Sequence, residues 1–239
     1  TYVIAAGDID LSVGSVIALA AGVAAFAVKS LGLDPMTALM LGLGAGLLAG
    51  TINGLLTVAF GLPAFIATLG MYYVARGAAA WITSGKQLTG FNERFNLIGR
   101  KISDILAYLG LPRPQGWLGA LADVVSVQTL WLLLVSIVAG TVLAYMPYGQ
   151  KLYATGGNRR AADYAGINTN RVRFIALLFC AFCATMAGLI NVAYFRSFNP
   201  IAGQFRELDG IAAVIIGGGS IFGGFGTIIG ALAGAAAQP

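Results

Sequence analysis

Residues 36–60 read MTALMLGLGAGLLAGTINGLLTVAF, 25 positions without a charge. A helix needs about 20 apolar residues to cross a hydrocarbon core about 30 Å thick, so this stretch predicts a spanning helix. Working outward, residues 11–28, 129–146, 174–195 and 210–239 are also free of charge, and 62–83 carries only Arg76. Pro35, Pro63, Pro112, Pro114, Pro147 and Pro200 fall at or between the edges of these segments, where a missing N–H and a fixed φ do least harm to a helix. Within the first segment Gly42, Gly46, Gly50 and Gly54 recur every four residues, and Gly226, Gly230 and Gly234 repeat the pattern. Small residues at that spacing make a flat stripe on which another helix can pack closely. The fold class expected is all-α, a polytopic transmembrane helical bundle.

Composition excludes much else. Of 239 residues, 58% are apolar and 10% charged, with 14 Lys and Arg against 9 Asp and Glu, whereas a soluble domain carries about 25% charged residues. Two cysteines do not make a secreted disulfide scaffold. The net charge of +5 is spread along the chain rather than gathered in one basic block, which argues against nucleic acid as a partner. There is no His, so His metal sites and Ser-His-Asp chemistry are unavailable. Gly85-Lys86 is followed by Gln87, so no phosphate-binding P-loop is present. Cys180 and Cys183 lie inside an apolar segment, where core packing competes with redox or metal chemistry. No covalent chemistry is expected.

Charge sets the orientation. Lys151, Arg159, Arg160, Arg171 and Arg173 stand against Asp163 in residues 148–173, and short basic loops stay in the cytoplasm. Counting from there, residues 84–128 form an external loop, and the turn at 61–63 is cytoplasmic. The whole chain, 1–239, is expected to be one transmembrane domain. It begins and ends in apolar sequence, which reads as the middle of a longer protein lacking its first and last helices.

Residues 148–167 read YGQKLYATGGNRRAADYAGI. The expectation is a turn at Gly156-Gly157-Asn158, a short helix capped by Asn158, and a second turn at Gly166. Spacing alone leaves open a helix that docks into a partner or a solvated loop. In residues 207–226, Glu207 and Asp209 precede an apolar run broken by Gly217-Gly218-Gly219-Ser220 and by Gly223, Gly224 and Gly226. Glycine this dense predicts a broken or re-entrant segment near a pathway, with Glu207 and Asp209 at its outer mouth; a tight turn between ordinary helices is the alternative. Asp8 and Asp10 precede an apolar helix. Asp10 or Ser12 can cap it, while acids in a membrane segment also mark ion paths. Asn53, Thr57, Thr68, Tyr72, Tyr73, Arg76 and Trp81 are polar or aromatic groups inside apolar segments, suited either to sugar contacts or to packing between helices and at the interface. Ile98, Ile102, Ile105, Leu106 and Leu109 predict an amphipathic helix over 98–109.

The 148–167 block resembles the cytoplasmic coupling loop of bacterial ABC-importer permeases, with Arg160-Ala161-Ala162-Asp163-Tyr164-Ala165-Gly166 matching E-A-A-x-x-x-G except that Arg160 stands for Glu. More specifically it is similar to the ribose/xylose/galactose-type permease family. IDLSVGS (9–15), PAFIATLG (63–70) and ELDGIAAVIIGGGSIFGGFGTIIG (207–230) resemble the same family in the same order. Asp8 departs from the family, which more often has Gly before IDLS. The resemblance implies a permease dimer in the bacterial inner membrane. Its partners would be a separate ATPase carrying ATP and Mg and a periplasmic sugar-binding protein. It also implies that Asn158, Arg159, Arg160, Ala161, Ala162, Asp163 and Gly166 form a coupling helix seated in the ATPase. The candidates for the monosaccharide path are Asp10, Ser12, Asn53, Phe65, Thr68, Tyr72, Arg76, Glu207, Asp209 and Ser220. An ion-coupled secondary transporter using Asp8 or Asp10, or a passive channel, are the alternatives.

Overall fold

The computed structural model describes residues 1–238, and the chain is almost wholly helical. In order it forms α1 (Tyr2–Ala5), α2 (Val13–Lys29), α3 (Pro35–Val58), α4 (Ala64–Ile82), β1 (Leu88–Thr89), α5 (Glu93–Asn96), α6 (Ile102–Tyr108), α7 (Trp117–Val124), α8 (Val127–Tyr145), α9 (Pro147–Gly157), α10 (Arg159–Tyr164), α11 (Thr169–Phe195), β2 (Ser197–Phe198), α12 (Arg206–Ile216) and α13 (Ile228–Ala236). Among the described residues three helices, α3, α8 and α11, are long and apolar enough to cross a membrane. The helix α2 is apolar and shorter, at 17 residues.

Helix α3 shows why these segments begin and end where they do. Asp34 accepts the Thr37 amide at 3.0 Å and Pro35 occupies the first turn, satisfying free N–H groups where proline costs nothing. After Val58 the chain turns through Gly61, at φ 68°, into Pro63. The intervening 24 residues measure about 36 Å at 1.5 Å per residue. The glycine stripe is the face that packs. A Cβ at Gly46 would overlap the Thr185 hydroxyl, one at Gly50 would overlap Ala181, and one at Gly54 would lie 2.6 Å from the Phe174 ring. Gly42 meets the Ala20 carbonyl of α2 in the same way. The central bundle is therefore α2, α3, α4 and α11, closed by small residues: Ala18, Ala20, Ala24, Ala25, Ala75, Ala79 and Ala184 are all buried. Close backbone approach maximises dispersion contacts where lipid removes the hydrophobic drive. The opposite faces carry Leu48, Ile52 and Leu55 of α3 and Leu132, Leu133 and Ile137 of α8, all exposed, as a lipid-facing surface requires.

The two ends of the bundle differ. At one end, Lys29 donates to the Gly90 carbonyl at 3.0 Å, β1 pairs antiparallel with β2, and Phe91 and Phe95 pack on α2 and α11. The other end gathers the α3–α4 turn, α9, α10 and the start of α11.

Several expectations change here. Over its described part, 210–238, the last stretch is not one spanning helix: α12 and α13, of 11 and 9 residues, run back on each other through a glycine hairpin, a form common to the broken segment and to the turn between helices. Gly156 and Gly157 are not a turn but the last turn of α9, because the break comes one residue later at the cap Asn158. The 98–109 helix shortens to a single 3-10 turn, in which Gly99 is buried, and the seven-residue α6, which has no buried residue. A two-stranded ladder of two residues each interrupts the all-helical expectation. The basic stretch 148–173 is largely helical, and its last member, Arg173, is buried in α11.

Candidate functional site

The chemistry of the bundle concentrates where α1 stops and α2 has not yet begun. Gly7 takes φ 79°, the left-handed conformation that suits a residue without Cβ. The turn places Asp8 against α11. Its carboxylate accepts from Arg173 Nε at 2.6 Å and from Arg173 Nη2 at 2.8 Å, a bidentate pair of two buried side chains. Arg159 Nη2, from the first residue of α10, reaches the same carboxylate at 3.6 Å. The fork geometry of a guanidinium suits such a site. Both oxygens of Asp8 are engaged, so in this arrangement the carboxylate anchors two cations.

The next residues form a polar cluster inside the bundle. Asp10 Oδ1 accepts the Ser12 amide at 2.8 Å and the Ser12 hydroxyl at 2.6 Å. Asn53 Nδ2 of α3 donates to Ser12 Oγ at 2.9 Å. Thr68 Oγ1 of α4 accepts the Leu11 amide at 3.0 Å. Asp10 thus binds the residue that caps α2, and does not cap α2 itself; the local Asx turn takes its oxygen before a helix amide can. Four path candidates, Asp10, Ser12, Asn53 and Thr68, are brought together here. Asn53 Oδ1 and the Thr57 hydroxyl one turn further along α3 are buried with no hydrogen-bond partner among the described residues.

A cavity of about 620 Å³ opens beside this turn, lined by Asp8, Thr57, Pro63, Phe65, Arg159 and Arg173 among others. Phe65 therefore joins the site as part of its wall.

The other path candidates lie apart. Arg76 Nη1 donates to the carbonyls of Pro200 at 3.1 Å and Ala202 at 2.7 Å, and its guanidinium lies 5.6 Å from the centre of the Tyr72 ring. It ties α4 to the irregular segment before α12, satisfying carbonyls that no helix can satisfy. Glu207 is buried against the first turn of α2, where it leaves no space for a side chain at Gly14. It does not stand at an open mouth as expected, because the 199–205 segment folds inward to contact α2 at Gly14 and Ile17. Asp209 is exposed and pairs with Arg206 at 3.0 Å. Ser220 sits in the α12–α13 hairpin, its amide bonded to the Phe225 carbonyl at 3.1 Å.

That hairpin closes on the same turn from the far side. The Gly224 amide donates to the Ala5 carbonyl at 2.9 Å, and Gly223 lies against Gly7. A Cβ at Gly156 would overlap the Ala5 carbonyl, and the Tyr153 hydroxyl donates to the Gly226 carbonyl.

Helix α10 projects from this assembly. Asn158 Oδ1 caps it by accepting the Ala161 amide at 3.1 Å, and Gly166, at φ 81°, ends it in the left-handed C-terminal turn that glycine favours. Asp163 accepts from the Thr169 hydroxyl at 2.7 Å, which fixes the helix to the start of α11. Ala162 is turned inward and buried at 4% exposure, while Tyr164 is 91% exposed. Ala162, expected within the coupling helix, thus faces the protein's own bundle and not outward: a six-residue helix resting on the bundle must bury one face, and Ala162 is on it. Arg160, Ala161 and Tyr164 are on the free surface.

Arg173, Tyr153 and Gly156 also pack or bond at this turn and its hairpin, places that the sequence reading did not assign to them. Asp8 carried a signal, an acid beside an apolar segment, but its partner stands 165 residues away and no local spacing points to it.

The model of the family described as branched-chain amino acid transport system / permease component matches residues 1–237. The ribose import permease protein RbsC of Escherichia coli K12 is 37% identical over 238 residues, covering 98% of this chain and 68% of that protein. The inner membrane ABC transporter permease protein YjfF of Escherichia coli K12 is 37% identical over 239 residues, covering all of this chain and 67% of the relative. The galactofuranose transporter permease protein YtfT of Escherichia coli K12 is 36% identical over 225 residues, covering 94% and 60%. No solved structure matches significantly. By this match and these relatives the chain belongs to the family of permease components of ABC transporters, in which ATP binding resides on a separate ATPase and the permease is not itself an enzyme, and its place is the inner membrane.

Proposed function

We propose that the chain forms the translocation path of an ATP-driven, binding-protein-dependent importer for a monosaccharide, a pentose or hexose. Its relatives named for ribose and galactofuranose support that substrate class. In this reading the chain is one transmembrane unit, 1–239, with residues 84–128 outside and 148–173 in the cytoplasm. It works with a second permease subunit, identical or paralogous, a periplasmic sugar-binding protein, and an ATPase holding ATP and Mg.

The observation that carries the reading is α10. It is a capped, two-sided helix at the basic end, fixed inward by Ala162 and by Asp163 on Thr169, and free outward at Arg160, Ala161 and Tyr164. A short rigid helix can transmit displacement only if both faces are held, and its free face awaits a partner. ATP binding on the ATPase moves α10 as a body. The bundle then alternates access around a path that takes in Asp10, Ser12, Asn53, Phe65 and Thr68 at the turn, Tyr72, Arg76, Glu207 and Asp209 above it, and Ser220 in the hairpin.

Reconstitution with the ATPase and binding protein in vesicles tests this. Uptake of ribose or galactose should require ATP and survive an ionophore; uptake without nucleotide that collapses with the ionophore would remove the reading. Ala161→Trp, on the exposed face, should release the ATPase and abolish sugar-stimulated hydrolysis while the permease stays folded.

A further inference from the structure

The Asp8 carboxylate is the junction of three elements that are far apart in sequence. It holds Arg173 of α11 through two hydrogen bonds and meets Arg159, the first residue of α10, on the oxygen that Arg173 Nη2 also uses. Asp8 and Arg173 are both buried, whereas the Arg159 side chain is 42% exposed. The pair with Arg173 is thus a fixed post. The contact with Arg159 is longer, wetter and easier to break. From Asp8 the backbone runs without a helical turn into Asp10 and Ser12, and through them to Asn53 of α3, while Thr68 of α4 binds the Leu11 amide. Two sets of polar contacts, one at Asp8 and one at Asp10 to Ser12, are therefore joined by the non-helical backbone between them, which leads from α10 to the start of α2 and to the interiors of α3 and α4.

We propose that Asp8 is the positioning residue that carries displacement of α10 to this polar cluster: when α10 moves, Arg159 leaves or tightens on the carboxylate, and the 7–12 turn shifts about the Asp8–Arg173 post. The proposal rests on the reading of α10 as the ATPase-docking helix. The cavity of about 620 Å³ alongside, lined by Gly7–Ile9, Arg159 and Arg173, gives the turn room to move. A rigid post with a weak second contact can take two arrangements, as coupling between distant sites requires. Burial keeps the Asp8–Arg173 interaction little screened by salt.

The test uses the assembled transporter in vesicles, reading stimulation of ATP hydrolysis by sugar-loaded binding protein and the amount of ATPase that co-purifies. Asp8→Asn keeps the volume and removes the charge. It should retain the ATPase in wild-type amount yet lose stimulation about tenfold, in the range of typical coupling energies. Asp8→Glu should recover part of it. Arg159→Gln alone should give a smaller loss, and should add nothing in the Asp8→Asn background. Should Asp8→Asn fail to accumulate, Arg173→Lys keeps the charge and removes the fork, and should likewise lower stimulation with the ATPase retained. Wild-type stimulation in Asp8→Asn or Arg173→Lys would overturn the proposal, as would multiplying losses for Asp8→Asn and Arg159→Gln. Release of the ATPase from Asp8→Asn, as from Ala161→Trp, would also overturn it, because Asp8 would then act on docking. Wild-type stimulation in Ala161→Trp would instead remove the docking reading itself, and this proposal with it.

Discussion

Two interruptions of apolar helix meet at the end of α9, and they are held by opposite means. The turn at residues 6–12 is fixed by side chains: Asp8 on Arg173, Asp10 on Ser12, Ser12 on Asn53, and Leu11 on Thr68. The hairpin between α12 and α13 is fixed mainly by close backbone contacts, with the Tyr153 hydroxyl on the Gly226 carbonyl as its side-chain tie to α9. Gly217 lies against Gly230, Gly223 against Gly7, and Gly224 against Gly157, so backbone meets backbone with no room for a Cβ at Gly217 or Gly230. Non-helical backbone at membrane depth must find partners within the protein. The first break finds them in ionised and hydroxyl groups, the second in carbonyls and amides that only glycine lets come near. The first should fail through unpaired charge and the second through crowding.

The largest effect expected is Asp8→Ala, which strands Arg173 in a buried site and should cost about 3–5 kcal/mol. Thermal denaturation in detergent measures it. Asp8→Ala combined with Arg173→Met should recover much of that loss, since the uncompensated charge is gone; a double variant as unstable as the single one would erase the contrast between the two breaks. Next come Gly217→Ala and Gly230→Ala, where a Cβ would overlap the opposing carbonyl and overpacking should cost about 1–3 kcal/mol. Gly218 sharpens the point: it has φ 84° with nothing within 4 Å, so Gly218→Ala should cost only the left-handed strain of about 1–2 kcal/mol, and Gly218→Asn less than that. Asn53→Ala, which removes the donor to Ser12 Oγ, should cost about 1 kcal/mol. The smallest effect belongs to Gly70→Ala on α4, which meets nothing within 4 Å and should stay within about 0.5 kcal/mol of wild type.

Legibility in the sequence followed the range of the interaction. The α3 stripe was readable because four glycines at a spacing of four define a face whatever packs on it, and α11 then supplied Thr185, Ala181 and Phe174. The α10 cap was readable because Asn158 and Ala161 are neighbours. Which face of α10 is free was not, since burial of Ala162 depends on where the bundle lies. The same holds for Arg76, whose carbonyl partners are 124 and 126 residues distant, and for Glu207, whose burial depends on the inward fold of residues 199–205.

By itself the sequence determined a membrane bundle of small-residue interfaces, a basic end with a short capped helix, and a glycine-broken segment near residue 220, because hydropathy, charge bias and glycine spacing act over one or two helical turns. The tertiary structure alone decided that Asp8 is paired with Arg173, that Asp10, Ser12, Asn53 and Thr68 form one cluster, and that both breaks close on Gly156 and Gly157. Those contacts join segments more than 40 residues apart, and a buried charge or a close glycine contact acquires its meaning only from the group that the fold brings opposite it.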